Sequence, residues 1–151
     1  MNHHAVHLKP ELTYQYAAGR YGSVFLAGLK EKKIYASHCT KCKRTLVPPR
    51  IACTSCFGKM DKIVEVPPTA TLLAFTLVSF PFLDPFTGVK RPIPYCYGMV
   101  QFEGTDNNFQ YFLSEKNTSK LKLGMKMIAV FKEARNGRLD DILYFSLHNR
   151  S

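Results

Sequence analysis

Four cysteines in the first half of the chain constrain its fold more than any other feature. They follow the spacing C-x2-C-x10-C-x2-C and are Cys39, Cys42, Cys53 and Cys56. Each C-x2-C pair can turn two thiolates towards one point, and two such pairs close a tetrahedral metal site. The ten intervening residues are enough for a strand, a turn and a returning strand. The pattern therefore predicts a rubredoxin-like zinc ribbon with a structural Zn²⁺, because four thiolates leave no open coordination position.

Other uses of these cysteines stay open from the sequence. Two disulfides would need an oxidising compartment, and the N-terminal segment MNHHAVHLKPEL has no apolar region of the kind that a signal peptide carries. A redox-active pair is less expected than a closed site, since two matched pairs are present. Iron could use the same ligands. No apolar run approaches the ~20 residues that cross a bilayer, so we expect a cytoplasmic protein that does not contact a membrane.

Basic residues are concentrated in the same half of the chain. Of the net charge of +10 over 151 residues, residues 1–66 contribute +7 and residues 67–151 contribute +3. Such a field attracts nucleic acid, phosphate-bearing cofactors or an acidic protein surface. The candidates for phosphate binding around the cysteines are Lys41, Lys43, Arg44, Arg50 and Lys59. The alternative is a solvated face that offsets the negative charge of a metal–tetrathiolate centre.

Residues 11–33 have the periodicity of a helix, with aromatic and apolar side chains recurring near every 3.6 residues. Three glycines weaken it, so we expect a break near residues 19–22. The aromatic stripe, which includes Tyr14, Tyr21 and Phe25, needs a surface to lie on. That surface is either the chain's own core or a partner.

After Pro67-Pro68 the pattern changes to that of strands. Apolar, β-rich segments cover residues 69–80, 95–102, 109–114, 126–134 and 139–147, and Asn136-Gly137 indicates a turn between the last two. Five antiparallel strands without a helix predict a five-stranded OB-fold barrel, and a β-sandwich is the alternative. The predicted fold is mainly β with an N-terminal helix, divided into a helical segment (1–33), a zinc ribbon (34–66) and a barrel (67–151).

The barrel half contains one long loop and no clear catalytic set. Residues 81–94 carry Phe82 and Phe86 among other apolar side chains, which predicts contact with a ligand or partner; folding back over the barrel end is the alternative. The fifth cysteine, Cys96, lies in an aromatic strand, where a buried hydrophobic role is more expected than a nucleophile.

The order of helix, ribbon and barrel resembles the DUF35 family of zinc-ribbon/OB-fold proteins, which are associated with acyl-CoA. The resemblance is carried by the four cysteines, by Pro48-Pro49-Arg50 and by Leu123-Gly124 before the strand MKMIAVF. Many members of that family have glycine directly after the second cysteine of a pair. This chain has Lys43 and Phe57 there, which leaves the ligand set intact and the fine geometry of the ribbon open.

The resemblance implies a partner rather than an independent enzyme. Such proteins accompany thiolase-superfamily enzymes, including the benzoylsuccinyl-CoA thiolase of aromatic-compound degradation. It implies a non-catalytic, zinc-binding accessory subunit of a hetero-oligomer that docks on the catalytic subunit and helps to enclose acyl-CoA as a shared ligand. The basic residues near the cysteines then become candidates for binding CoA, and Tyr14, Tyr21, Phe25, Phe82 and Phe86 become candidates for contact with partner or substrate.

Two competing functions remain. An OB-fold nucleic-acid-binding protein would also have a positive charge, but the barrel half is only +3 and the aromatic residues of strands 95–102 and 109–114 have no basic residue among them. Nucleic acid is therefore the less expected partner. An independent enzyme that uses Cys96 is the third hypothesis.

Overall fold

The computed structural model describes residues 17–83, 88 and 90–148, which form one α-helix and two antiparallel sheets. A short 3-10 helix, Leu139–Asp141, precedes the last strand. The remaining elements, in chain order, are α1 (Gly19–Lys30), β1 (Ile34–His38), β2 (Thr45–Leu46), β3 (Lys62–Val66), β4 (Thr69–Val78), β5 (Tyr95–Phe102), β6 (Phe109–Phe112), β7 (Lys126–Phe131) and β8 (Ile142–Leu147). The predicted fold class, mainly β with an N-terminal helix, is confirmed.

The described part of the helix begins later than the periodicity predicts. Ala17 and Ala18 are not helical, and residues 11–16 lie outside the described residues. Gly19 opens the helix with φ +68°, within the stretch where a break is expected. At the other end Lys32 takes the left-handed conformation, with φ +61°, and its N–H donates to the carbonyl of Leu29 at 3.1 Å. This arrangement satisfies a carbonyl of the last turn and stops the helix.

The smaller sheet carries the cysteines at its end. Its strand order is β2-β1-β3, with Ser37 opposite Leu46 and Ile34 opposite Val66. The central strand β1 leads directly into Cys39. The sheet therefore forms the stem of a ribbon whose two cysteine pairs lie beyond the strand ends.

The larger sheet closes into a barrel. Its order is β6-β5-β4-β7-β8, and its edges meet through a parallel bridge between Leu113 and Phe145. The N–H of Ser114 donates to the carbonyl of Phe145 at 2.9 Å in the same place. A β-bulge between Leu72 and Ala74 gives β4 the bend that closure needs. This closed topology is that of an OB-fold, and it removes the β-sandwich alternative.

The predicted turn at Asn136-Gly137 belongs to a longer connection than a two-residue hairpin. Strand β7 ends at Phe131 and β8 begins at Ile142, because the Asp141 carboxylate accepts the backbone N–H groups of Asn136, Gly137 and Arg138 at 2.7–3.0 Å. These three bonds coil residues 136–141 locally. The last strand therefore starts three residues after the predicted start at 139.

One hydrophobic core runs through the helix, the ribbon stem and the barrel. Phe25 and Leu29 of α1 are 4% and 0% exposed, and they share a cluster with Ile34 and Val66 of the stem and with Phe102 of the barrel. A smaller, separate cluster surrounds the cysteines and contains Leu46 and Met60. The boundaries at residues 33/34 and 66/67 remain predictions.

Side-chain hydrogen bonds join the ribbon to the barrel. The backbone N–H groups of Thr45 and Val47 donate to the side chains of Asp106 and Asn107, each at 2.8 Å. In return, the Asp106 N–H donates to the Thr45 carbonyl at 2.8 Å. The turn between β5 and β6 thus extends the edge of the ribbon sheet. Among the described helices, none has the length and apolar character that crossing a membrane demands.

Candidate metal centre

The two cysteine pairs lie on backbone loops of the same geometry. In the first, the N–H of Lys43 donates to the Cys39 carbonyl and the N–H of Cys39 donates to the Arg44 carbonyl, both at 2.8 Å. In the second, the N–H of Phe57 donates to the Cys53 carbonyl at 3.1 Å, and the N–H of Cys53 donates to the Gly58 carbonyl at 2.9 Å. The offsets from the first cysteine are the same in both loops. We call residues 39–44 the first knuckle and residues 53–58 the second knuckle.

The knuckles bring all four thiols to one point. The four Sγ atoms lie within 4.8 Å of one another, and the pairs Cys39–Cys56 and Cys42–Cys53 are 3.5 and 3.4 Å apart. Four sulfurs around zinc, each about 2.3 Å from the ion, would be separated by roughly 3.8 Å. The donor set and its spacing therefore fit a tetrahedral zinc ion. All five cysteines are free thiols, so the disulfide alternative is removed.

Backbone N–H groups prepare some of these sulfurs for a cation. The N–H groups of Cys56 and Ser55 lower the pKa of Cys53 to about 6, and the N–H of Cys42 lowers the pKa of Cys39. The N–H of Arg44 also lowers the pKa of Cys42, but the hydrogen bonds that the Cys42 thiol donates to the other cysteine sulfurs, that to Cys53 first, and burial raise it to about 12. Metal binding must displace the remaining protons, so affinity falls as pH falls.

The residues that follow each cysteine pair keep the left-handed backbone that glycine usually supplies. Lys43 has φ +65° and Phe57 has φ +55°. A side chain in this conformation costs roughly 1–2 kcal/mol. Gly58 stands one residue later, where an added Cβ would lie 3.2 Å from the Cys56 Sγ. Lys43 and Phe57 therefore adopt the backbone conformation that glycine has at these positions in the ribbon, and both are strained by it.

The basic candidates are exposed residues in or next to the knuckles. All five side chains belong to exposed residues: Lys41, Lys43, Arg44, Arg50 and Lys59. The Arg44 guanidinium donates to the Ser55 hydroxyl and so links the two knuckles. Lys59 lies 3.7 Å from the Asp61 carboxylate. A depression of about 230 Å³ lies away from the knuckles, on the barrel, between Thr76, Tyr97 and Met99.

The aromatic candidates are distributed over different environments. Phe25 packs against Phe109, with ring centroids 6.5 Å apart, so its ring serves the chain's own core rather than the surface. Tyr21 is half-buried and Phe82 is 38% exposed. Tyr14 and Phe86 lie outside the described residues.

Three surface features were not predicted from the sequence. Phe57, considered only as a departure from glycine, is the most exposed of the large apolar side chains in the described residues, at 84%. Phe80, directly before the 81–94 loop, and Ile93, within it, are also exposed, at 66% and 47%. On the barrel, the Arg91 guanidinium lies 3.6 Å from the centroid of the Phe112 ring. For Phe57 the sequence did contain a signal, since a bulky residue stands at a position that favours glycine. The other features had no such signal.

Cys96 is not placed for catalysis. It is fully buried, and burial, followed by the charge of Glu115, raises the pKa of its thiol. A neutral, inaccessible thiol is a poor nucleophile. The structure therefore supports the packing role that the aromatic strand predicts.

Comparisons with known proteins agree with this geometry. Residues 26–61 match the family model described as ChsH2, rubredoxin-like zinc ribbon domain. A DUF35-family protein of unknown function from Sulfolobus solfataricus has a similar structure, with 24% identity, a TM-score of 0.62 and coverage of 86% of this chain and 87% of that chain. A structure described as Ltp2-ChsH2(DUF35) aldolase matches with 20% identity, a TM-score of 0.63 and coverage of 92% and 98%. No curated protein matches.

Proposed function

We propose that this chain, a zinc-ribbon protein of the DUF35 type, is a non-catalytic accessory subunit of a thiolase-like acyl-CoA enzyme. In this role it docks on the catalytic subunit and helps to bind or enclose the acyl-CoA substrate. Degradation of aromatic compounds is one pathway in which such an enzyme would act. The zinc ion is structural in this proposal, because the four cysteines saturate it.

The observation that carries the proposal is the match over nearly the full length of both chains to the Ltp2-ChsH2(DUF35) aldolase structure. The described residues add support, since the cysteine cluster is the one group of potential metal ligands among them and it offers no open position. Cys96 is buried. A chain with these properties is better suited to shaping another protein's site than to performing a reaction.

Two surfaces suit acyl-CoA. The exposed lysines and arginines around the knuckles, candidates for binding the CoA phosphates, provide charge-assisted donors. The apolar side chains of the 81–94 loop, which include Phe82, Leu83 and Ile93 at 38%, 58% and 47% exposure, provide an apolar cover for an acyl group. The phosphate and acyl ends of one ligand would thus contact different parts of the chain.

Co-purification tests the proposal directly. The tagged chain is expressed in its native host, purified with zinc present and analysed by size-exclusion chromatography and mass spectrometry. We expect a thiolase-superfamily subunit in stoichiometric amount. A Cys39→Ala variant, which lacks one zinc ligand, serves as the control and is expected to lose the partner. A stable monomer at native concentration, with no such subunit, would contradict the proposal.

Single-stranded nucleic acid is a second candidate, on one observation. Arg91 adds a cation to the aromatic face formed by Tyr95, Tyr97 and Phe112. The strand sequences contain no basic residue among these rings, so this contact was not predicted. Aromatic rings beside a cation are a common platform for bases. Retention of single-stranded DNA that weakens steeply with salt would support this function; no retention at low salt would remove it.

A further inference from the structure

The ring of Phe57 is both exposed and conformationally strained. It lies at the tip of the second knuckle, with 84% of its surface exposed and φ +55°. An exposed aromatic ring gains little from folding, and a bulky residue in the left-handed region is a genuine outlier. At this exposure, little of the ring contacts the described part of the chain. Packing of the ring there therefore does not offset the backbone strain.

The ribbon does not require an aromatic side chain at this position. Lys43 occupies the equivalent position of the first knuckle with nearly the same backbone, φ +65°. The hydrogen bond that shapes the second knuckle uses the backbone N–H of Phe57, which donates to the Cys53 carbonyl at 3.1 Å. Glycine would make the same bond without strain. A strained outlier that the fold does not need is a reason to look for a function.

The surroundings of Phe57 indicate the chemistry of its partner. Ile51, two positions before the second knuckle, is 66% exposed, so this part of the ribbon exposes two large apolar side chains. Exposed basic residues lie in or next to the two knuckles, at Lys41, Arg44 and Lys59, and Asp61 is the one acidic residue between positions 39 and 62. Apolar and basic side chains exposed on the same part of the chain complement an apolar pocket with an acidic rim.

We propose that Phe57 is the anchor by which the zinc ribbon docks on its catalytic subunit, inserting with Ile51 into an apolar pocket bordered by carboxylates. The inference rests on the proposed function and adds the residue and the chemistry of the contact. A protein partner is favoured over nucleic acid because the second knuckle exposes a single aromatic ring. Buried aromatic anchors dominate protein interfaces, whereas base-stacking surfaces use successive rings.

Glycine substitution separates docking from folding. In Phe57→Gly the strain is relieved and the ring is lost, so the isolated chain should keep its zinc and should unfold at an unchanged or higher temperature, as should Lys43→Gly. Binding to the catalytic subunit should nevertheless weaken about tenfold or more. Leu123→Ala, which truncates another side chain that is 65% exposed, is the docking control and should change binding less than about twofold.

The probe is the catalytic subunit that co-purifies with the unaltered chain, re-expressed alone and measured by surface plasmon resonance at two salt concentrations. We expect Phe57→Gly to raise the dissociation rate, and salt to lower the association rate of every variant.

Unchanged binding by Phe57→Gly would overturn the inference and leave the proposed function standing. Loss of zinc or of thermal stability in Phe57→Gly would show that the ring serves the fold, which also overturns it. If the variant instead lost affinity for single-stranded DNA alone, the tip would belong to a nucleic-acid surface. If the unaltered chain binds no catalytic subunit, the proposed function fails and this inference fails with it.

Discussion

Asp141 shows how one buried carboxylate can fix the shape of a loop. It is 2% exposed, and its two oxygens accept the N–H groups of Asn136, Gly137 and Arg138. Burial raises the pKa of this carboxyl, but the three N–H groups and the nearby Lys132 hold it below the ordinary value of 3.8. Its charged form therefore stabilises the folded chain.

Replacing that carboxylate tests its contribution. Asp141→Asn places an NH₂ group where N–H donors converge, so the free energy of unfolding at pH 7 should fall by about 1–3 kcal/mol. Because the folded pKa is depressed, the contribution is present above the unfolded pKa and is lost as pH falls through the folded pKa.

The pH dependence supplies the control for this prediction. In urea unfolding, the difference between the unaltered chain and Asp141→Asn should be constant above about pH 5 and shrink below about pH 4. Zinc loss in acid affects both proteins and cancels in the difference. A difference that is independent of pH would contradict the assigned role of the charge.

For single residues, the sequence predicts which side chains can bind a metal better than it predicts which side chains are buried. The four cysteines are identifiable because their spacing alone brings four thiols together. By contrast, Phe25 and Tyr21 belong to the same aromatic stripe, yet Phe25 is 4% exposed and Tyr21 is half-buried. Which ring of a stripe faces the core depends on the elements packed against the helix, and these come from distant parts of the chain.

Among the elements, the strands are predictable and their ends are not. Residues 95–102 have the predicted bounds, whereas the predicted strand 69–80 ends at Val78 and the predicted strand 126–134 ends at Phe131. Apolar residues at every second position indicate which side of a strand is buried. A strand's end instead depends on where its partner's hydrogen bonds stop, which a single segment does not encode.

The turn between β5 and β6 is hydrogen-bonded to the ribbon sheet. Asn107 accepts the Val47 N–H at 2.8 Å and donates through its amide nitrogen to the Val47 carbonyl. Asn107→Ala removes both bonds at this half-buried joint, so we expect a loss of about 1–2 kcal/mol in the free energy of unfolding. Chemical denaturation with zinc present measures this loss.

Asn108 provides the matched control for that substitution. It follows Asn107 directly and is exposed, and its amide contacts the Met99 sulfur at 3.2 Å rather than the ribbon. Asn108→Ala should therefore change stability by less than about 0.5 kcal/mol. Equal effects of the two substitutions would show that the turn's sequence, and not its bonds to the ribbon, matters.

At the scale of the whole molecule, contacts between distant residues complete the fold. The barrel closes through Leu113 and Phe145, and the ribbon joins it through Thr45 and Asp106. The number and order of strands made a barrel the favoured prediction, but these contacts could not be read from local patterns. They follow from the shared core, which includes residues of the helix, the ribbon stem and the barrel.

That organisation predicts a divided response to zinc removal. The cysteines belong to a small cluster with Leu46 and Met60, which holds little apolar surface and depends on the metal. Chelation, or the substitutions Cys39→Ala and Cys53→Ala, should therefore unfold the two knuckles, residues 39–44 and 53–58, while the main core persists. Hydrogen exchange should show loss of protection in the knuckles and continued protection in β4, β5, β7 and β8.

Added zinc should restore protection after chelation but not in the cysteine variants, which separates metal binding from non-specific damage by the chelator. The partner should dissociate together with the loss of knuckle protection, because the knuckles carry the proposed contact while the barrel stays folded. Protection of the two knuckles that survives without metal would refute a structural role for zinc. Simultaneous loss in knuckles and barrel would show that the metal stabilises the whole chain as one cooperative unit, contrary to the separation of the two clusters.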